Sequence, residues 1–163
     1  SSVSACCMFA ELAAWAADRG MSIYQLLQQV FVEYGLYKDQ GVSVVRKGKS
    51  GAEEIEAMMK NFRENPLKTL AGSPVVEVLD YAKLQGLWLD KGEVFTLDMP
   101  TTSNVLQYKT ADGTKVSIRP SGTEPKIKFY IGVRGKVTSK EDLPAAEAAC
   151  LEKIQVIRQE LGI

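Results

Sequence analysis

The sequence predicts an α+β fold: an antiparallel sheet of four to five strands with two helices packed on one face, preceded by a helical hairpin. Three observations predict it. Apolar residues recur at helical spacing through residues 3–34, then at alternate positions through much of 104–134. Asp112-Gly113 stands between two alternating segments, the mark of a tight hairpin turn. From residue 41 onward the order reads strand, helix, four strands, helix, which a single layered sheet accommodates.

The first helix is expected over residues 3–18. Val3, Ala5, Cys6, Met8, Phe9, Leu12, Ala13, Trp15 and Ala16 cover most of its circumference, so it should lie buried between layers. Gly20 stops it. Ser22 caps a second helix whose Ile23, Leu26, Leu27, Val30, Phe31 and Tyr34 follow helical spacing, ending at Gly35. A hairpin this apolar cannot bury itself and is read as belonging to a larger body.

Val42, Val44 and Val45 suggest a strand after Gly41. Ser50 to Asn65 is an amphipathic helix, with Ile55, Met58, Met59 and Phe62 on one side and Asn65-Pro66 ending it. Pro74 to Leu79 is a strand rich in valine. Residues 84–103 carry Gly, Asp, Pro and Thr and read as loop, with a short strand near Val94. Asn104–Lys109 and Lys115–Arg119 form the hairpin across Asp112-Gly113. Lys126–Arg134 alternates Ile127, Phe129, Ile131 and Val133 against Lys126, Lys128 and Tyr130. A last helix over 142–161 presents Cys150, Ile154, Ile157 and Leu161, with Pro144 in its first turn.

Composition narrows the function. The 163 residues carry 20 basic and 20 acidic side chains, and no basic run tracks a phosphodiester backbone, which argues against nucleic acid. There is no histidine, so the commonest general base and transition-metal ligand is missing. No apolar stretch reaches spanning length, and no basic segment precedes the apolar start, so neither a membrane span nor a signal peptide is expected. Cys6, Cys7 and Cys150 are an odd set without a Cys-x-x-Cys. They are read as reduced thiols of a cytoplasmic protein, serving as small core hydrophobes. Gly48-Lys49-Ser50 looks like the end of a nucleotide-binding loop, but the glycine that motif needs falls on Ser43. Glu53, Glu54 and Glu56 are read as solvated residues favouring a helix N-terminus.

One segment carries chemistry: Arg119-Pro120-Ser121-Gly122-Thr123-Glu124-Pro125-Lys126, between two strands. By alternation Arg119 lies opposite Val116 and Ile118, so its planar fork of donors points away from the core. Ser121 and Thr123 add hydroxyls. Gly122 permits a positive φ, which would let successive N–H groups converge on an anion. The same residues also suit a tight connection that binds nothing.

Arg119 to Lys126 resembles the phosphate-binding signature of the C-terminal domain of α-D-phosphohexomutases, the phosphoglucomutase/phosphomannomutase family. Lys47-Gly48-Lys49-Ser50-Gly51-Ala52-Glu53 resembles the strand-to-helix entry of that domain. Ser103-Asn104-Val105-Leu106 and Lys126-Ile127-Lys128-Phe129-Tyr130 resemble its strands, and residues 3–35 the helices closing the domain before it. The resemblance implies a helical remnant of the third domain at 1–38 and a phosphate-binding domain at 39–163. It implies a parent with a phosphoserine in the first domain, a Mg²⁺ site of three aspartates in the second and a sugar loop in the third. The fourth domain holds the non-reacting phosphate of a phosphosugar. Arg119, Ser121, Gly122 and Thr123 are carried over as phosphate contacts; Lys126 either joins them or is a solvated strand residue. No catalytic residue, metal ligand or cofactor is expected in this chain. Mg²⁺ and a sugar bisphosphate belong to the parent, and the missing N-terminal domains are its expected partner. A phosphopentomutase or phosphoglucosamine mutase fragment, a stand-alone anion-binding module and a purely structural domain are the other readings.

Overall fold

The structure is a computed structural model that describes residues 2–163. Those residues form four α-helices and eight strands. They divide into two units: the chain up to Tyr37 with Gly135–Ala149, and Lys38–Arg134 with Cys150–Ile163.

The first unit holds α1 (Ser2–Asp18) and α2 (Ile23–Tyr34). Ser22 caps α2 with a full capping box: its hydroxyl accepts from the Gln25 N–H, and the Gln25 side chain accepts from the Ser22 N–H. Both helices stand where the sequence puts them, and within this chain α1 is left largely uncovered, in keeping with a hairpin that cannot bury itself. Only Ala16 of α1 is buried, while Val3, Met8, Phe9, Leu12 and Trp15 are exposed. Cys6 and Cys7 are exposed thiols too, not core residues; Cys150 alone of the three cysteines is buried. The physical reason is geometric: two helices cover only one stripe of each other, and an apolar circumference needs several neighbours.

The second unit is built on the sheet. Its strands are β1 (Leu36–Val45), β2 (Thr69–Leu70), β3 (Ser73–Asp80), β4 (Gln85–Trp88), β5 (Glu93–Thr96), β6 (Leu106–Thr110), β7 (Lys115–Pro120) and β8 (Lys126–Gly135). The order across the sheet is β1-β8-β7-β6-β3-β4-β5, with β2 paired to β3. The pairs from β2 to β8 are antiparallel. The Arg46 N–H donates to the Pro125 carbonyl (2.9 Å), so the end of β1 meets the start of β8 and this pair is antiparallel as well.

The eight strands correct the expected four or five. The stretch read as loop with a short strand near Val94, 84–103, holds that strand as β5 and pairs it in a hairpin with the unexpected β4. Strands of four residues are too short to show a period, and what holds this pair is a cross-strand contact. Trp88 and Phe95 stack with ring centroids 4.8 Å apart, and Phe95 lies over Gly86, which has no side chain to obstruct it. β1 begins at Leu36 rather than after Gly41; it is an edge strand, on which Asp39 is exposed and Lys38 and Gln40 are half-buried.

One face of the sheet is dry. Leu106, Tyr108, Val116, Ile118, Ile127, Phe129, Ile131 and Val133 share it by register, each at most 1% exposed. α3 (Gly51–Glu64) covers part of this face: Phe62 meets Phe129 edge-on at 5.8 Å, and the Tyr108 hydroxyl donates to the Phe62 carbonyl. The second half of α4 (Leu143–Leu161) buries Cys150, Ile154, Ile157 and Leu161. The opposite face carries Lys109, Lys115, Ser117, Arg119, Lys128 and Tyr130, all partly or fully exposed. The α+β class and the antiparallel sheet are those the sequence predicts.

Candidate functional site

The β7–β8 connection is a compact loop closed at its neck, where the Ser121 N–H donates to the Lys126 carbonyl (2.8 Å). Inside it, the Ser121 hydroxyl oxygen accepts from the N–H groups of Thr123 (3.4 Å) and Glu124 (3.3 Å). This replaces the expected nest. Two N–H groups that were to converge on an anion turn inward onto Ser121 instead, and Gly122 does not use a positive φ. The serine is the acceptor nearest at hand, and long, shared bonds of this kind are weak.

Gly122 therefore has no backbone reason to be glycine. It has no packing reason either: a Cβ built there meets no atom within 4 Å. What glycine leaves at this tip is bare backbone, open to close approach from outside. Gly51 is the opposite case. A Cβ there would lie 2.1 Å from the Arg46 carbonyl oxygen and 3.2 Å from Pro125 Cβ. That close approach packs the start of α3 against the end of β1 and the base of the loop.

Arg119 stands at the end of β7 on the open face, exposed, as alternation requires. Among the described residues it has no ion-pair partner. Its cross-strand neighbour is Lys128, another cation. Like charges directly opposite on a sheet repel, and a bound anion would relieve that repulsion. Lys126 follows the same alternation onto this face, half-buried. The five expected contacts thus gather around one loop, with the charges on the open face and Ser121, Gly122 and Thr123 at its tip.

Ser121, Gly122 and Thr123 also line an open cleft of about 340 Å³, together with Ile55, Asn104, Glu56 and Glu124. Neither Arg119 nor Lys126 lines it. Sequence reasoning places Asn104 only in a strand, yet it stands at this cleft, just before β6. Its side-chain oxygen accepts from Arg63 Nη2 at 2.9 Å. Arg63 is held in turn by Asp80, with Nε to Oδ2 at 2.8 Å, in a half-buried pair. The signal that could have found it is Arg63 itself, an arginine on the last turn of α3 beside the face that buries Phe62.

Among the described residues no group of three or more His, Cys, Asp or Glu side chains could hold a metal. None of the described helices is long and apolar enough to cross a membrane.

Comparison with known proteins bears on what this loop is. Residues 41–149, more than half of the chain, match the model of the phosphoglucomutase/phosphomannomutase C-terminal domain. A Staphylococcus haemolyticus phosphoglucomutase is 32% identical over 116 residues, covering 71% of this chain and 21% of that protein. A Staphylococcus aureus phosphoglucomutase (strain MRSA252) is 34% identical over 115 residues, covering 71% and 20%. The chain thus spans about a fifth of the length of the curated relatives it matches. A solved phosphoglucomutase from Paramecium, pp63/parafusin in its open form, aligns at 15% identity with a TM-score of 0.39, over 87% of this chain and 24% of that one. A likeness that loose decides nothing about the site. The match of residues 41–149 decides the family: the chain belongs to the phosphoglucomutase/phosphomannomutase C-terminal domain family.

Proposed function

We propose that this chain grips the non-reacting phosphate of a hexose phosphate, as the C-terminal part of a mutase that interconverts hexose 1-phosphate and hexose 6-phosphate through a bisphosphate. The observation that carries the reading is Arg119: an unpaired, exposed guanidinium opposite Lys128, one residue from a loop whose Gly122 faces open space. Its fork matches two phosphate oxygens at once. Ser121 and Thr123 supply hydroxyl donors, and Lys126 adds charge from the same face.

On this reading the chain turns over no substrate alone. Phosphoryl transfer needs a nucleophile, a cation and a held substrate, and this domain contributes to the last. Mg²⁺ and a sugar bisphosphate would act with the rest of the parent, in the cytoplasm. The test is steady-state kinetics of the full-length parent with Arg119→Ala. Removing a charge-assisted hydrogen bond costs about 1.5–3 kcal/mol, so kcat/KM should fall about ten- to a hundredfold. Arg119→Lys should recover only part, because the fork is lost. A variant that folds normally and keeps the parent's kcat/KM would refute the assignment.

A further inference from the structure

The open face of the sheet gathers cations that the sequence disperses. β7 and β8 contain no carboxylate, and by register Lys115, Arg119, Lys126, Lys128 and Arg134 all stand on this face. Lys109 of β6 joins them, directly opposite Lys115 as Arg119 is opposite Lys128. Among the described residues none of the six has an ion-pair partner. Two like-charge pairs on one face are unfavourable, and an anion laid across them would relieve both. The carboxylates flank this track rather than interrupt it: Glu77 lies on β3, opposite Lys109, and Asp39 on the edge strand β1.

The far end of the track is seated. Arg134 lies against the bare backbone of Gly113, where a Cβ would come 2.8 Å from Arg134 Cδ. The carboxylate beside that glycine, Asp112, is taken by Lys153 and does not neutralise it. From Lys126 to Arg134 the track runs about 26 Å at the ordinary rise of a strand. A ligand that uses its whole length is linear.

The middle of the track is neutral. Ser117 pairs there with Tyr130 across the two strands. Tyr130 is 49% exposed, and its ring edges Gly41, where a Cβ would lie 3.7 Å from Cδ1 and Cε1. The Gln107 amide donates to the Ser117 hydroxyl (3.1 Å) and accepts from the Tyr81 hydroxyl (3.1 Å). Ser117 is thereby held as an acceptor, with its own hydrogen left to donate. A polycarboxylate or a polyphosphate would use the cations and leave this band idle. A polyanion whose units also carry flat rings with hydrogen-bonding edges would use both.

We propose that the open face of the sheet binds single-stranded nucleic acid, its phosphates along β7 and β8 and a base stacked on Tyr130. Cations that track a backbone, with an aromatic ring between them, are what such a strand requires. The surface lies across the sheet from α3, and it stands whether or not the β7–β8 loop grips a sugar phosphate.

The experiment is fluorescence anisotropy of a labelled oligouridylate titrated with this chain. Binding should be weak, with Kd about 1–100 μM at low salt, and log K should fall against log salt with a slope of about −3, as for four phosphates. Lys115→Gln with Arg134→Gln, both exposed and remote from the loop, should weaken binding at least tenfold and flatten that slope by about 1. Tyr130→Ala should weaken binding about fivefold or more, the range for one stacked base, and leave the slope unchanged. Polyglutamate should compete poorly. Melting temperatures check that each variant folds. No saturable binding at low salt, or equal affinity in the folded double variant, would overturn the proposal. Unchanged affinity in Tyr130→Ala, or polyglutamate competing as well as unlabelled oligouridylate, would make the face a general polyanion surface and overturn it too.

Discussion

Lys153 on α4 donates to Asp112 in the β6–β7 turn, tying the last helix to the sheet across 41 residues of sequence. The other carboxylate oxygen accepts from the hydroxyls of Thr110 and Thr114 and from the Thr114 N–H (3.2 Å). Partial burial alone would raise the Asp112 pKa. The hydrogen bonds from Lys153, Thr110 and Thr114 outweigh it and hold the carboxyl well below the usual carboxylate range.

The sign of the resulting pH dependence follows. A carboxyl whose pKa is lower folded than unfolded stabilises the fold above the unfolded value, near 4, and loses that contribution as pH falls toward the folded value. Asp112→Asn should therefore cost about 1 kcal/mol at pH 7, a modest figure because the pair is partly exposed. The gap in melting temperature between wild type and variant should narrow as pH drops below about 4. A gap that stays constant from pH 7 to pH 2 would show that Asp112 is not a stabilising carboxylate.

Phe62 is the residue through which α3 holds the sheet. It is 8% exposed and meets Phe129, which is fully buried. Phe62→Ala should destabilise the chain by about 3–5 kcal/mol, from lost transfer energy plus the cavity left behind. Urea unfolding followed by circular dichroism measures it. A loss below about 1 kcal/mol would mean that α3 is fastened elsewhere.

The helical hairpin should behave as a sticky surface. Phe9 is 60% exposed and Met8 65%, with Val3 and Trp15 on the same helix. Exposed apolar patches of this kind drive association. Sedimentation of the wild-type chain should show concentration-dependent self-association, and Met8→Gln with Phe9→Glu should reduce it without lowering the melting temperature of the sheet unit. A monomeric wild type, or a variant with a clearly lower melting temperature, would count against this account of the hairpin.

Gly122→Ala separates ligand approach from folding. Its Cβ would meet nothing and its φ is ordinary, so the melting temperature should be unchanged. Phosphate affinity should still fall severalfold if the bare backbone is what the anion approaches. Equal affinity in the variant would leave Gly122 a spacer only.

The fold was legible wherever long elements carried a period. α2, with Ser22 and Gly35 at its ends, α3 with Ile55, Met59 and Phe62, and β8 with four alternating apolar residues all stand as the pattern predicts. β4 was not legible, and β5 only as a short strand near Val94, since four residues show no period and the Trp88–Phe95 stack that joins them crosses strands. At the site, alternation placed Arg119 correctly on the open face. Local hydrogen bonding did not follow from residue type: Ser121 turns on its own loop, a choice made by distances of a few ångströms. Asn104 was read only as a strand residue because its role comes from Arg63, 41 positions away.

The most direct test of the central claim is titration of this chain with inorganic phosphate, wild type against Arg119→Ala, read by amide NMR at residues 119–126. The exposed site should bind weakly in the wild type, with Kd on the order of 1 mM, about 4 kcal/mol. The account predicts saturable shifts at Ser121, Gly122 and Thr123 that Arg119→Ala abolishes or weakens at least tenfold while the fold is kept. Shifts of equal size and affinity in the variant, or none in the wild type up to tens of millimolar, about ten times that Kd, would contradict it.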